Sequence, residues 1–463
     1  MSVIALLICL LVTTLTAIYL YRKLNPQGVL MLAGLVMLAF AYLLNIHPCI
    51  PETPTGSIVF DLVKVVEDTF IGNLVRAGLM IMTIGGYVAF MNHIQATNAL
   101  VYISMKPLGF FRRYPYLAAT ITIPIGQLLF ITTPSAAGLG LLLVASVYPV
   151  LIGLGVSRLT ALSVIAASTL FDQGPGSANT ALAAELIDES NVAYFLTHQL
   201  PLVLPTTLVI MTLFYFNNRY FDRKEAARQA VATPDKDADA FRTTGKPDVP
   251  LIFALLPVLP LALLIVFSPY VGLFDPPIVL NTTTAMIFSL FISLVFVAVR
   301  ARNVRKTFDT FASFWKGMGN VFSSVVTLIV ASEIFSKGLI SLGFIDSLVN
   351  YSTHIGLSGI AIAAVFALII FSAAMLMGSG NAAFFSFGPL LPGIAQQLGM
   401  PAYSLVLPLQ LSASMGRAAS PIAGIIVAIA GVAGVSPIEL AKRNTLPLIG
   451  SAVFLIAYHF ITL

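Results

Sequence analysis

Long apolar stretches, separated by short polar intervals, occupy almost the whole chain. Ten of them are long enough, and carry few enough charges, to cross the hydrocarbon core of a bilayer as α-helices. These predicted spans are 3–20, 28–46, 73–91, 159–186, 192–216, 249–269, 283–299, 318–335, 403–430 and 445–463. The pattern predicts an all-α polytopic membrane protein.

Two further apolar stretches, near 116–154 and 358–396, are interrupted in the middle by small and polar residues. A single arm of either stretch is too short to cross a bilayer comfortably. We therefore predict two re-entrant hairpins, each of which enters the membrane and returns to the same side. Their tips are Thr-Pro-Ser at 133–135 and Gly-Ser-Gly-Asn at 378–381. Irregular backbone at this depth is tolerated where protein or a water-filled cavity covers it, which makes the tips candidate sites.

Two of the predicted spans are also interrupted. One break is Asp-Gln-Gly-Pro-Gly-Ser at 172–177, and the other is Ser-Met-Gly-Arg-Ala-Ala-Ser-Pro at 414–421. Small residues and proline disfavour a continuous helix at both places. Their alternative role is to let neighbouring helices approach closely.

The four breaks occur at matched positions in the two halves of the chain. Ser135 precedes Gly176 by 41 positions, and Ser379 precedes Ser420 by 41 positions as well. Matched breaks are typical of transporters built as an inverted repeat with a site near the midplane of the membrane. We predict five spanning helices and one hairpin in each half, in opposite orientation. The predicted segments are 1–216 for the first repeat, 217–248 for a cytoplasmic linker and 249–463 for the second repeat.

The positions of the basic residues test this threading. With the N-terminus outside, 20 of the 24 Lys and Arg residues fall on the inner side. Lys64, Arg76 and Lys337 lie outside or at the outer interface, and Arg417 is left inside the membrane. Because cytoplasmic loops are enriched in Lys and Arg, this bias places both termini outside.

Composition narrows the class of protein further. Hydrophobic residues make up 58% and charged residues 9% of the 463 residues, and the mean hydropathy of +0.96 leaves no water-soluble domain of useful size. The N-terminal apolar stretch has no basic region before it, so we expect a retained helix rather than a signal peptide. The two cysteines give no disulfide framework. The pI of 9.1 comes from loop charges that orient the protein in the membrane, so nucleic acid is not an expected partner.

Motifs for chemistry or nucleotide hydrolysis are not visible. The sequence contains no phosphate-binding loop, zinc-type His/Glu cluster or nucleophile elbow. We therefore predict no enzyme activity, no catalytic residue, no metal and no cofactor. An energy source other than ATP is implied.

Arg417 and Asp172 are the two charged residues at the breaks. A guanidinium in the hydrocarbon region costs several kcal/mol unless it meets an anion or a cavity, and its planar fork suits a carboxylate. Arg417 is therefore predicted to bind substrate, with a structural ion pair to Asp172 or a snorkelling side chain as the alternatives. Asp172 is predicted either to carry a coupling H⁺ or Na⁺ or to be the fixed partner of Arg417.

Neutral groups at the breaks complete the predicted site. Half-helix N-termini present free N–H groups to anions, and unwound carbonyls suit cations. The predicted substrate-binding residues are Ser135, Gly176, Ser177, Asn179, Thr180, Ser379, Gly380, Asn381, Ser414, Gly416, Arg417 and Ser420.

Other polar residues are expected at the membrane surface. Glu333, His93 and His198 are predicted to be interfacial groups. The stretch 57–72, which carries charges among apolar residues, predicts an amphipathic interfacial helix or an oligomer contact.

The chain resembles the anaerobic four-carbon dicarboxylate carriers of the Dcu-C type, within the wider ion transporter superfamily. The resemblance covers nearly the whole chain and is clearest at 378–382, at Gly416-Arg417 with Ser420-Pro421, and from Ser436-Pro437 through Lys442-Arg443. It implies secondary transport of succinate, fumarate or malate across a bacterial inner membrane, by exchange or with cations. The superfamily further implies a homodimer with a fixed scaffold and a mobile, elevator-type domain that carries the hairpins.

The first-half break departs from the pattern of that family. The family has a sequence closer to Pro-Thr-Ser-Gly-Asp, whereas this chain has Pro-Gly-Ser-Ala-Asn at 175–179 and its acid upstream at Asp172. This difference bears on substrate choice and on the coupling ion. A monocarboxylate carrier or a Na⁺/H⁺ carrier on the same fold is therefore the alternative function.

Overall fold

The computed structural model describes residues 3–22, 24–46, 49, 51, 53–111, 113–229, 248–269, 271–274, 278, 280–344, 347 and 358–462, and these residues form helices and turns without a β-strand. The helices of the first half are α1 (Val3–Tyr21), α2 (Pro26–Leu43), α3 (Ile58–Asn73), α4 (Leu79–His93), α5 (Ala96–Met105), α6 (Pro115–Thr132), α7 (Ala136–Ser146), α8 (Tyr148–Gly153), α9 (Arg158–Ala167), α10 (Ala178–Leu186), α11 (Asn191–Tyr194) and α12 (Leu200–Gln229). Those of the second half are α13 (Leu259–Val266), α14 (Thr282–Ala301), α15 (Val304–Val321), α16 (Thr327–Ser341), α17 (Gly359–Met377), α18 (Gly380–Phe387), α19 (Leu391–Gln397), α20 (Tyr403–Ala418), α21 (Gly424–Ala433) and α22 (Pro437–Thr462).

Eight helical segments in this part of the chain are long and apolar enough to cross a membrane. They are Pro26–Leu43, Pro115–Thr132, Ala136–Gly153, Asn191–Glu225, Thr282–Ala301, Val304–Ser341, Gly359–Met377 and Pro437–Thr462. The predicted all-α membrane class is thereby confirmed. Three of the segments, Pro115–Thr132, Ala136–Gly153 and Gly359–Met377, are arms of the predicted hairpins, so the expectation that each arm is too short to cross a bilayer was wrong for them. The two predicted spans 159–186 and 403–430 are each divided into two shorter helices, because their breaks interrupt the helix.

Three π-helical turns join neighbouring helices into longer continuous helices. Leu74–Gly78 joins α3 to α4, Phe195–Gln199 joins α11 to α12, and Phe322–Val326 joins α15 to α16. The stretch 57–72 is therefore the first part of a longer helix that continues into α4, and its role as an interfacial helix or an oligomer contact stays a prediction. A π turn inserts one residue without ending the helix, which a hydrophobicity pattern does not reveal.

The predicted linker begins later than the sequence indicated. Helix α12 continues to Gln229, so 217–229 is helical, while 230–247 lies outside the described residues. This extension contains no glycine or proline, and it buries Asn218 and Asp222. Arg443 of α22 forms a buried salt bridge with Asp222 and also donates to Asn218 Oδ1 at 2.9 Å. The polar contacts with α22 account for the extra turns.

The predicted span 249–269 is also different, since it contains a 3₁₀ turn at Leu251–Leu255 followed by the short helix α13. Pro257 and Pro260 lack the N–H groups that a continuous helix would need there.

Close helix crossings join α2 to α16 and α4 to α15. A Cβ on Gly34 would lie 2.6 Å from the backbone of Ile334, and a Cβ on Gly338 would lie 2.8 Å from the carbonyl oxygen of Gly34. At the other crossing, a Cβ on Gly317 would lie 2.8 Å from the carbonyl oxygen of Gly85. Small residues on both helices thus allow each pair to pack backbone against backbone.

The hairpins and the broken helices pack against one another. Hairpin arm α17 packs along α20, hairpin arm α7 packs on α21, and α12 packs on α22. The four breaks therefore belong to one cluster of helices.

Candidate functional site

Each hairpin tip ends one helix and caps the next. In the first hairpin, Ser135 caps α7, and its hydroxyl accepts the backbone N–H of Gly138 at 3.3 Å. In the second hairpin, Gly378 has a φ of 69°, in the left-handed region that favours glycine, and Ser379 Oγ accepts the N–H of Ala382 at 3.1 Å. Each serine caps one N–H group, so the other N–H groups in the first turn of the following helix have no intrahelical acceptor.

The first broken helix folds around Asp172. This buried carboxylate accepts the hydroxyl of Ser177 at 2.6 Å on Oδ1 and the amide of Asn179 at 3.1 Å on Oδ2. Ser177 also caps α10, because its hydroxyl accepts the N–H groups of Asn179 and Thr180 at 3.1 and 3.3 Å. Two predicted site residues, Ser177 and Asn179, are therefore in direct contact with the predicted coupling residue.

The first broken helix and the second hairpin meet at two asparagines. Asn179 Nδ2 donates to Asn381 Oδ1 at 3.2 Å, although the two residues are 202 positions apart. A Cβ on Gly380 would lie 2.8 Å from the carbonyl oxygen of Ala413, so the hairpin tip packs directly on α20. The structure thus brings predicted residues from both halves together.

Arg417 lies in the last turn of α20 and extends to the first break. Its Nη2 donates to the carbonyl oxygen of Thr169 at 2.6 Å, and its guanidinium lies 5.9 Å from the ring centroid of Phe130 in the first hairpin. Its Nε is buried and has no hydrogen-bond partner. Arg417 and Asp172, both described, are near enough to attract each other but form no salt bridge. The guanidinium is held by a neutral carbonyl and retains donors for an anion.

Some of the buried polar atoms without a partner lie at the breaks. Unpaired atoms of this kind cost roughly 1–3 kcal/mol each, so they call for an explanation such as a bound ligand. At the first break and along α20 they are Gln173 Oε1, Asn179 Oδ1, Ser412 Oγ, Ser414 Oγ and Arg417 Nε. The set offers donors to an anion and oxygens to a cation.

Three residues that the sequence analysis missed hold the first break against α20. Gln410 Nε2 donates to the carbonyl oxygen of Asp172 at 3.3 Å, and Gln410 Oε1 accepts Tyr194 OH at 2.8 Å and Gln199 Nε2 at 3.2 Å. Gln199 also bonds Thr180, with Nε2 to Oγ1 at 3.0 Å. A glutamine inside each of two apolar spans was the available signal.

The remaining predicted residues have local contacts. Ser420 Oγ accepts the N–H of Ile422 at 3.3 Å. A Cβ on Gly416 would lie 2.9 Å from the carbonyl carbon of Phe371, and one on Gly176 would lie 3.3 Å from Met286 Cε. Both glycines therefore sit at close packing contacts.

The described part of the chain contains no group of three or more His, Cys, Asp or Glu side chains that could hold a metal ion. The oxygens present at the first break are those of the Asp172 carboxylate and the unpaired amide oxygens of Gln173 and Asn179.

Comparison with known proteins gives relatives over nearly the full length. The family model described as "C4-dicarboxylate anaerobic carrier" (DcuC) matches residues 4–463. The anaerobic C4-dicarboxylate transporter DcuC of Escherichia coli K12 is 31% identical over 461 residues, which cover 99% of this chain and 96% of that protein. The probable anaerobic C4-dicarboxylate transporter DcuC of Vibrio cholerae is 31% identical over 451 residues, which cover 97% and 95%.

Two solved transporter structures share the fold. The antimetabolite efflux pump MtrF of Neisseria gonorrhoeae superposes with a TM-score of 0.63 at 12% identity, over 96% of this chain and 97% of that one. The YdaH transporter of Alcanivorax borkumensis gives a TM-score of 0.58 at 14% identity, over 94% and 98%. The whole-length family match and the named relatives show that the chain belongs to the C4-dicarboxylate anaerobic carrier (DcuC) family, which consists of transporters rather than enzymes.

Proposed function

We propose that this chain is a secondary transporter of four-carbon dicarboxylates such as succinate, fumarate and malate, and that it works in the bacterial inner membrane. The observation that carries the proposal is Arg417. It is a guanidinium at a helix break with a neutral carbonyl as partner and a buried, unpaired Nε. A guanidinium in such surroundings costs several kcal/mol unless it pairs with an anion. The curated relatives are named for C4-dicarboxylates, which supplies the class of anion.

The two ends of the substrate bind different groups in this proposal. One carboxylate pairs with the fork of Arg417, and the other accepts N–H groups from the hairpin tips and from the amide of Asn381, which Asn179 positions. The hydroxyls of Ser135, Ser177, Thr180, Ser379, Ser414 and Ser420 and the backbones of Gly176, Gly380 and Gly416 line the same region.

Asp172 supplies the coupling step in this proposal. A dianion next to Arg417 and an ionised Asp172 would leave two uncompensated negative charges in a low-dielectric site. A proton on Asp172, or a Na⁺ bound by its carboxylate and the free oxygens of Gln173 and Asn179, offsets part of this charge. Exchange of one dicarboxylate for another needs no net movement of that cation.

The architecture proposed for transport is an inverted repeat with an elevator-type motion. The segments are 1–216 and 249–463, joined by the linker 217–248, and the matched π turns at Leu74–Gly78 and Phe322–Val326 support the repeat. The four helices of the glycine crossings would form the scaffold of a homodimer. The hairpins and broken helices would move as one body.

The boundary between these two groups is suited to sliding. Ile131, Pro134 and Pro175 line a narrow crevice together with Tyr87 and Val88 of α4. Apolar surfaces without fixed polar pairs can shift past each other with little loss of specific bonding.

Counterflow in proteoliposomes tests the proposal. Vesicles are loaded with unlabelled succinate, fumarate, malate or a monocarboxylate, and uptake of labelled succinate is measured. We expect trans-stimulation by the four-carbon dicarboxylates and saturation at high concentration. Flux without saturation or trans-stimulation would point to a channel and contradict the proposal.

A single-carboxylate or Na⁺/H⁺ carrier is the second candidate function. It is favoured because Arg417 is a single cationic residue and can pair with a single carboxylate. Asp172 and the amide oxygens near it are suited to a bound cation. The same vesicles, tested with labelled monocarboxylates under Na⁺ and pH gradients, separate the two. Absence of dicarboxylate counterflow under every gradient would favour this second function.

A further inference from the structure

A second cavity lies away from the four breaks, at the C-terminal end of α14. It has a volume of about 420 Å³, within the range of ligand-binding pockets. Its polar lining includes His93 at the end of α4, Asp248, Arg300 at the end of α14, and Lys306 and Thr310 on α15. Four separate segments of the chain therefore contribute to one pocket.

The charge of this cavity is positive. Arg300 and Lys306 both line it, and Asp248 is the acidic residue opposite them. The sequence around them, Arg-Ala-Arg-Asn-Val-Arg-Lys at 300–306, has four basic and no acidic residues. Arg300 Nη2 donates to the backbone carbonyl oxygen of Asp248 at 2.9 Å, and with the Asp248 carboxylate counted the lining still has one more basic than acidic residue.

Arg300 is held in a defined position. Besides the bond to Asp248, its guanidinium lies 5.7 Å from the ring centroid of Phe253. A guanidinium fixed by a carbonyl and an aromatic face keeps further N–H groups for an oxyanion. The hydroxyl of Thr310 and the ring of His93 add further polar groups to the same wall.

The cavity lies at the level of a membrane surface. Helix α14 has 20 residues and is about 30 Å long, which matches the hydrocarbon thickness, so its end reaches the headgroup region. Just inside this level, α14 exposes Val295 and Val299. Helix α15 exposes Phe308 and Trp315 together with the charged Asp309 and Lys316, as expected for a segment near the membrane surface. Cations at a headgroup level with exposed apolar side chains below them match the two parts of a phospholipid.

We infer that the cavity bounded by Arg300 and Lys306 binds the phosphate headgroup of an anionic phospholipid, with its acyl chains on the exposed face of α14 and α15. The basic loops place this site on the cytoplasmic leaflet. The site is independent of the substrate site, since it shares no residue with it.

The protein's single tryptophan provides the test. Trp315 lies nine residues after Lys306, roughly 14 Å along the helix axis, and its side chain is exposed beside Lys316. The full-length protein is reconstituted in mixtures of brominated phosphatidylglycerol and phosphatidylcholine, and quenching of Trp315 gives the relative binding constant of the two lipids. We expect preference for phosphatidylglycerol, reduced about fivefold by Arg300→Gln or by Lys306→Gln. Arg300→Lys should retain much of the preference because the charge remains.

Arg305→Gln is the matched control. It removes a charge from the same basic segment, 300–306, but Arg305 does not line the cavity. An equal loss of preference in this variant would show a diffuse surface potential and overturn the proposal. Equal quenching by both lipids in the wild type would overturn it as well. Millimolar inorganic phosphate is added in a separate arm, and displacement of the lipid by phosphate alone would assign the cavity to a soluble anion instead. If Arg300→Gln fails to fold, Lys306→Gln, whose side chain is exposed, carries the test.

Discussion

Substitution of Gly380 by alanine tests whether the second hairpin tip is part of the site. Gly380 is the first residue of α18, and an added Cβ would lie 2.8 Å from the carbonyl oxygen of Ala413 and 3.2 Å from Ser414 Cα. An ordinary carbon–oxygen contact is about 3.3 Å, so the tip must move by roughly 0.5 Å. The neighbouring bond from Asn179 Nδ2 to Asn381 Oδ1 is already 3.2 Å and would be lost by such a shift.

The expected cost of this overpacking is about 1–3 kcal/mol, and a loss of 1.4 kcal/mol in substrate binding alone lowers affinity tenfold. Gly424→Ala is the matched control, because Gly424 is also the first residue of a half-helix but has nothing within 4 Å of an added Cβ. We expect Gly380→Ala to lower both the melting temperature in detergent and the rate of succinate counterflow, and Gly424→Ala to leave both unchanged or slightly improved. Wild-type stability and counterflow in Gly380→Ala would refute the reasoning.

Three further predictions concern charged residues. Asp172→Asn should retain succinate counterflow and lose uptake driven by a H⁺ or Na⁺ gradient, and unchanged gradient-driven uptake would contradict the coupling role. Arg443→Met should destabilise the protein by about 3–5 kcal/mol because it leaves Asp222 buried without its partner, and Arg443→Met with Asp222→Leu should recover much of that loss in thermal unfolding. Arg302→Gly should raise the melting temperature by relieving about 1 kcal/mol, because Arg302 has a φ of 49° in the left-handed region; a lower melting temperature would show that its side chain stabilises the loop.

The helices and the breaks were predictable from the sequence because they depend on local properties. Apolar runs set the membrane spans, and the glycine at position 378 allows the left-handed conformation that ends α17. Ser177 and Ser379 were recognisable as polar residues at a break, and both cap the helix that follows. The charge of Arg417 inside an apolar stretch was enough to identify it as a candidate.

The partners of these residues were not predictable, because they depend on contacts between distant parts of the chain. Arg417 bonds the carbonyl oxygen of Thr169, and no sequence pattern distinguishes one backbone carbonyl from another. Gln199 reaches Gln410 because a π turn rotates the end of its segment, and such turns leave little trace in a hydrophobicity pattern. The helical continuation past Phe216 was missed since its buried polar residues resemble those of an exposed linker.

The central claim is that Arg417 binds a carboxylate of a transported four-carbon dicarboxylate. The most direct measurement is counterflow of labelled succinate in proteoliposomes that contain wild-type protein, Arg417→Ala or Arg417→Lys, with Arg305→Ala as a control for loss of one positive charge. We predict that counterflow is abolished in Arg417→Ala, weakened in Arg417→Lys and retained in Arg305→Ala, while all four proteins elute as folded species in gel filtration. Wild-type counterflow in a folded Arg417→Ala protein would contradict the claim.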